Sequence, residues 1–109
     1  MADTLKILGQ KQPAANALDV LYTVPAGVQT TITSLFVCNV SGGSSSFSIE
    51  LAPAGAATAT AQFIHFADTL SANTTFPVAA PIMLFAGDVV RVKSNDGNSV
   101  FTATGLEVS

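Results

Sequence analysis

The sequence predicts an all-β domain: an antiparallel β-sandwich, jelly-roll or immunoglobulin-like, of about seven to nine short strands with an N-terminal extended arm. Three observations carry that prediction. Runs rich in Thr, Val, Ile and Phe recur at sandwich spacing, with Pro, Gly, Ser and Asn between them. Several of these runs alternate apolar and polar residues, the period of a strand with one face buried. No segment carries apolar residues three and four apart for long enough to make an amphipathic helix.

Residues 1–19 are read as the arm and residues 20–109 as the sandwich. In the arm, "TLKIL" can pair as a short strand, after which Gly9, Pro13 and Asn16 break any period. Leu5, Ile7 and Leu8 need an apolar surface, which the same domain or a neighbouring subunit could supply. Termini fray unless tied down, so an ordered arm in an assembly favours the neighbour. Leu5, Lys6, Ile7 and Leu8 are therefore candidate subunit-interface residues.

"VLYTV" is the first strand of the sandwich and ends at Pro25-Ala26-Gly27, a turn set by a fixed φ and a permissive glycine. "QTTITSLFVCNV" is a long β run stopped by Ser41-Gly42-Gly43. "SFSIELA" points Phe47, Ile49 and Leu51 one way and Ser46, Ser48 and Glu50 the other. Pro53-Ala54-Gly55 leads into "AATATAQ", an uncharged loop or weak edge strand, and then "QFIHFADTL" forms a strand. "TTFPVAAPIML" carries Pro77 and Pro81, so it lies at a sheet edge or divides into two short strands. "FAGDVVRVKS" puts Val90 and Val92 on one face and Arg91 and Lys93 on the other. Asn95-Asp96-Gly97-Asn98 reads as a hairpin turn joining it to "SVFTATGLEVS". Ala-Gly recurs at 26–27, 54–55 and 86–87, each time beside a strand. The intervals are too unequal for a structural repeat.

The composition bounds the function. The 109 residues make one domain, and only 10% of them are charged, against about 25% in an ordinary soluble domain. Ser, Thr, Ala, Asn and Gln fill the gap. So few charges imply that part of the surface is hidden against other subunits, and a homo-oligomer, with a trimer favoured, is expected. The net charge is −3 and the permanent cations are Lys6, Lys11, Arg91 and Lys93. They cannot neutralise a row of phosphates, so nucleic acid is not an expected partner. No apolar run reaches membrane-spanning length, and no membrane partner is expected. The opening "MADTLKILGQKQPAANA" has no apolar stretch of signal-peptide length, so synthesis in the cytoplasm without export is expected.

Candidates for chemistry are few. His65 is the single histidine, in "FIHFA". A general base would need an orienting partner and a nucleophile, and a metal would need further ligands. Asp68 is close in sequence but falls on the opposite face of a regular strand. His65 is therefore read as a partly buried or interface residue. Cys38 is also single and has no nearby cation along the chain to make it a thiolate, so it is read as a small buried apolar residue. The acidic residues Asp3, Asp19, Glu50, Asp68, Asp88, Asp96 and Glu107 stand singly, whereas a glycosidase needs two at a set separation. Asn95–Asn98 lacks the ligands of a calcium loop, and "SGGSSS" lacks the lysine and helix of a phosphate loop. There is no Trp, and the seven Phe mostly fall in apolar strands, where core is the expected role. No catalytic, cofactor or metal residue is assigned, and no enzyme is expected.

"LYTVPAG", "ITSLFVCNVSG", "FSIELAPAG", "FIHFADTLSANTT", "LFAGDVVRVKS" and "GLEVS" together resemble small β-sandwich virion proteins of tailed phages, including those infecting cyanobacteria. The likeness covers residues 20–108 and rests on strand order and on Pro25-Ala26-Gly27, Cys38-Asn39, Ala86-Gly87-Asp88 and Gly105. It implies a non-enzymatic virion protein: a capsid decoration (cement) protein between capsomers, with the major capsid protein as partner. The alternative it leaves is a tail, baseplate or fibre component, including a glycan-binding adhesion module. The implied location is the virion, with the head surface favoured over the tail, after synthesis in the host cytoplasm.

Overall fold

A computed structural model describes residues 3–78 and 81–109. Met1 and Ala2 of the expected arm, and Ala79 and Ala80 of the proline-containing run, lie outside the described residues. Nine strands follow one another: β1 (Asp3–Lys11), β2 (Asp19–Thr23), β3 (Gln29–Asn39), β4 (Ser45–Ala52), β5 (Phe63–Leu70), β6 (Thr75–Val78), β7 (Ile82–Leu84), β8 (Val89–Ser94) and β9 (Ser99–Val108). Between β4 and β5 run two short 3-10 turns, Pro53–Gly55 and Thr60–Gln62. Among the described residues no helix is long and apolar enough to cross a membrane.

The strands form two antiparallel sheets. The first runs β1-β9-β3-β6, with β7 also on β3; the second runs β2-β8-β4-β5. β6 and β7 line the same edge of β3, opposite Leu35–Cys38 and Thr30–Ile32, and act as one strand broken near Pro81. Counted so, eight strands interleave in jelly-roll order, which settles the choice between jelly-roll and immunoglobulin-like topology. Ile32, Leu35 and Val37 of β3, Ile49 of β4, Val90 and Val92 of β8 and Phe101 of β9 are fully buried between the sheets. The β4 and β8 alternations read from the sequence put these valines and Ile49 inward.

Two local expectations need correcting. The turn at Asn95–Asn98 does not close a hairpin, because β8 and β9 lie in different sheets. Its side chains close a network between the sheets instead of pairing strands: the Ser45 hydroxyl donates to Asp96 at 2.7 Å and accepts from the Ser99 hydroxyl at 3.2 Å. The other concerns the arm. Over Asp3–Lys11 it is an edge strand of the chain's own first sheet, paired with β9 from Asp3↔Val108 to Lys11↔Phe101. Gly9 lets it cross the corner where the sheets meet, since a Cβ there would stand 2.3 Å from the Leu21 carbonyl oxygen. Gly105 of β9 is tighter still, with a Cβ 2.2 Å from the Thr31 carbonyl oxygen at a bulge in β3.

The three Ala-Gly turns gather at one end of the sandwich. Val24 and Gly87 bind each other's turns (Gly87 N–H to Val24 O, 3.1 Å), and Val24 N–H donates to Asp88 O at 2.9 Å. The Asp88 carboxylate accepts from the Ala54 and Phe85 amides, both at 2.9 Å. Each turn closes by a bond across the dipeptide (Val28 N–H to Pro25 O at 3.2 Å, Ala56 to Pro53 and Asp88 to Phe85 at 3.0 Å). Gly27, Gly55 and Gly87 are all at positive φ, and Ala54 alone of the three alanines is at positive φ as well.

Candidate functional site

The sheets expose two outer faces of opposite character. Strand alternation and register fix the outward positions of the first sheet. They are Leu5, Ile7 and Gln10 on β1; Val100, Thr102, Thr104 and Leu106 on β9; Thr31, Ser34, Phe36 and Cys38 on β3; and Thr75, Pro77 and Met83 at the far edge. Asp3 at one corner is the only charged residue among them. Leu5 is 76% exposed and Met83 74%, with Ile7 and Phe36 also open to solvent. This is a surface of aliphatic groups and hydroxyls.

The five residues expected at an interface divide. Leu5 and Ile7 share this outer face. Lys6 turns inward and pairs with Glu107 at 2.9 Å. The Tyr22 hydroxyl of the second sheet also donates to Glu107 and accepts from the Thr30 hydroxyl at 2.9 Å. Burial, reinforced by the Glu107 hydrogen bond and opposed by Thr30, pushes the Tyr22 phenol up to about 12. The Tyr22 hydrogen bond and Lys6 hold Glu107 below the usual carboxylate range, against the opposing effect of burial. Leu8 packs against the core.

His65 lies on the second sheet and is partly buried at the open edge of the sandwich, its ring 5.5 Å from Phe47 and 5.6 Å edge-on from Phe76 of the first sheet. Contrary to the regular-strand expectation, Asp68 binds its Nδ1. The cause is a bulge: three residues of β4, Phe47 to Ile49, face four of β5, Asp68 to His65. Ala67 takes φ 52° there, and the extra residue returns Asp68 to the histidine's side. The pair closes a sheet edge, and among the described residues no three His, Cys, Asp or Glu side chains could hold a metal together.

The outer face of the second sheet is polar and partly roofed. Glu50 and Arg91 stand directly opposite each other on β4 and β8. The Glu50 side chain is fully buried, and Arg91 reaches it at 2.9 Å. Burial pushes the carboxyl up, but Arg91, the Gln62 amide at 2.8 Å and the Ala59 N–H at 3.3 Å together hold it below the usual carboxylate range. Arg91 also donates to the Ala56 carbonyl at 2.9 Å. The pair therefore ties the loop between β4 and β5 down onto the sheet.

Beside that loop runs a groove of about 280 Å³. Lys93, directly opposite Ser48, and Ser46 form its floor. Asn16 and Leu18 make one wall, on a segment fixed to β8 by Asn16 N–H to Ser94 O at 2.8 Å. Thr58, Phe63, Phe66 and Ala67 make the other, and Asn95 sits at one end. The same β5 bulge builds this wall: Ala67 N–H donates to the Ser48 hydroxyl at 2.9 Å, while Phe66 is left 67% exposed, edge-on to Phe63.

Several residues differ from their sequence readings. Only Phe47 and Phe101 of the seven phenylalanines are buried, so core is the minority role. Cys38 is half-buried on the outer face of the first sheet, because β3 alternates through it from buried Val37 to buried Asn39. The Glu50–Arg91 pair and the groove were not found from sequence. Their only signal was outward polar positions on "SFSIELA" and "VVRVKS", and it needed the β4–β8 pairing across some forty residues to become a site. No family model, curated protein or solved structure matches this chain.

Proposed function

We propose that this chain is a non-catalytic structural subunit of a tailed-phage virion, a capsid decoration protein that works as a homo-oligomer, three copies in this reading, on the major capsid protein. The observation that supports it is the outer face of the first sheet, uncharged from Leu5 to Met83 save for the corner residue Asp3. A surface of this kind gains about 25 cal/mol for each Å² of apolar area it removes from water, before ordering costs. Thr and Ser between the apolar groups supply hydrogen bonds with little side-chain entropy to lose. Repetition over a shell turns modest affinity into avidity.

The test places charge on the face without touching the core. Leu5→Lys and Ile7→Lys alter exposed side chains, and such surface changes shift stability by about 0.5 kcal/mol or less. The expected outcome is an unchanged melting temperature with loss of oligomers in light scattering and of binding to undecorated capsids. Variants that assemble and bind like the parent would remove this face from the function.

A further inference from the structure

We propose that the groove on the second sheet binds an acidic sugar, a pyranose bearing a carboxylate. Lys93 supplies the charge. Lys6, Lys11 and Arg91 are each held by an acidic partner at 2.9–3.2 Å, and Lys93 is the one cation among the described residues with none. It is half-buried on the groove floor, where an ammonium meets a carboxylate with less screening than on open surface.

The walls specify a ring rather than a simple anion. Phe66 and Leu18 both line the groove and offer apolar contact to the C–H face of a pyranose, while Asn16, Asn95 and Ser46 bring amide and hydroxyl groups for ring hydroxyls. The 280 Å³ is close to the lower end of small-ligand sites, about 300 Å³, which suits a single sugar unit. Backbone strain collects here too. Among the described residues, two of the four non-glycine positions at positive φ, Asn16 (57°) and Ala67 (52°), line the groove on opposite sides. A left-handed alanine is strained, and such strain gathers at ligand clamps. The groove opens on the sheet opposite to the uncharged face, so occupancy of one does not obstruct the other.

The experiment is an amide-resolved NMR titration of the full chain, at low ionic strength, with glucuronate, galacturonate, glucose and acetate. At least one uronate is expected to saturate and to move Ser48, Ala67 and Lys93, with glucose and acetate each roughly tenfold weaker. Lys93→Gln should weaken the uronate roughly tenfold or more and leave glucose unchanged, and Phe66→Ala should weaken both sugars and spare acetate. Melting curves of both variants confirm that they are folded. Absence of saturable uronate binding overturns the proposal, as does acetate binding equal to uronate. So does a Lys93→Gln variant that binds no less well, or one that loses oligomers instead, which would assign the groove to a neighbouring copy's carboxylate. Failure of the assembly reading leaves these binding outcomes untouched.

Discussion

Glu50 shows how far a single side chain's surroundings depart from its sequence. The carboxylate is fully buried and bound by Arg91, Gln62 and the Ala59 amide. Removing it strands the charge of Arg91, whose side chain is only 19% exposed, and frees the loop above. Glu50→Ala should cost about 3 kcal/mol, the low end for breaking a buried pair because Arg91 can reach water. In a domain of this size that lowers the melting temperature by more than roughly 10 °C. Replacing both partners by apolar residues, Glu50→Leu with Arg91→Met, should cost less than the single change, since no charge is left unpaired. A double variant as unstable as Glu50→Ala would mean that the loop, and not the orphaned charge, carries the loss. Glu50's outward direction was legible in "SFSIELA", and its burial was not, because the roof comes from the loop that follows. Asp68 was misplaced for a related reason: alternation assumes one residue per step, and an alanine bulge leaves no mark in composition.

At the level of strands, most of the architecture was legible and most of the pairing was not. Thr- and Val-rich runs between Gly and Pro located the strands of the sandwich, and Pro77 and Pro81 correctly marked a divided edge segment. Which strands lie side by side depends on contacts distant in sequence, so local turn chemistry at Asn95–Asn98 pointed to a hairpin that the fold does not contain. β1 carries the clearest consequence. Its ladder covers one edge of β9, and its Leu8 joins the core. Deleting residues 3–11 should therefore destabilise the domain by roughly 1 kcal/mol or more, from the partly buried Leu8 and the lost ladder together, and expose an edge prone to aggregation. Urea unfolding measures this. A truncated chain of unchanged stability would show that β1 is an appendage after all. Because the strand is part of the fold, point changes at Leu5 and Ile7 separate assembly from folding, and truncation does not.

The whole molecule has a defined window of pH stability. Glu50, Glu107, Asp96 and Asp19 are all held below the ordinary carboxylate range by hydrogen bonds and ion pairs, with burial opposing. Their contribution is full above the unfolded values near 4 and is lost as pH falls through the lower folded ones. Tyr22 works in the opposite sense: raised to about 12, it stabilises fully below about 10 and loses that contribution as pH rises toward 12. Melting temperature should be flat from about pH 5 to 10 and fall on both sides, with Tyr22→Phe flattening the alkaline limb. A steady decline between pH 6 and 9 would contradict this assignment. The pairing of β1 with β9 also sets a schedule for biosynthesis. The nascent polypeptide exposes residues 3–11 long before their ladder mate leaves the ribosome, a wait of roughly 5–20 s at ordinary elongation rates. During that interval Leu5, Ile7 and Leu8 have nothing of their own sheet to lie against, and two unfinished chains emerging side by side can pair through them first.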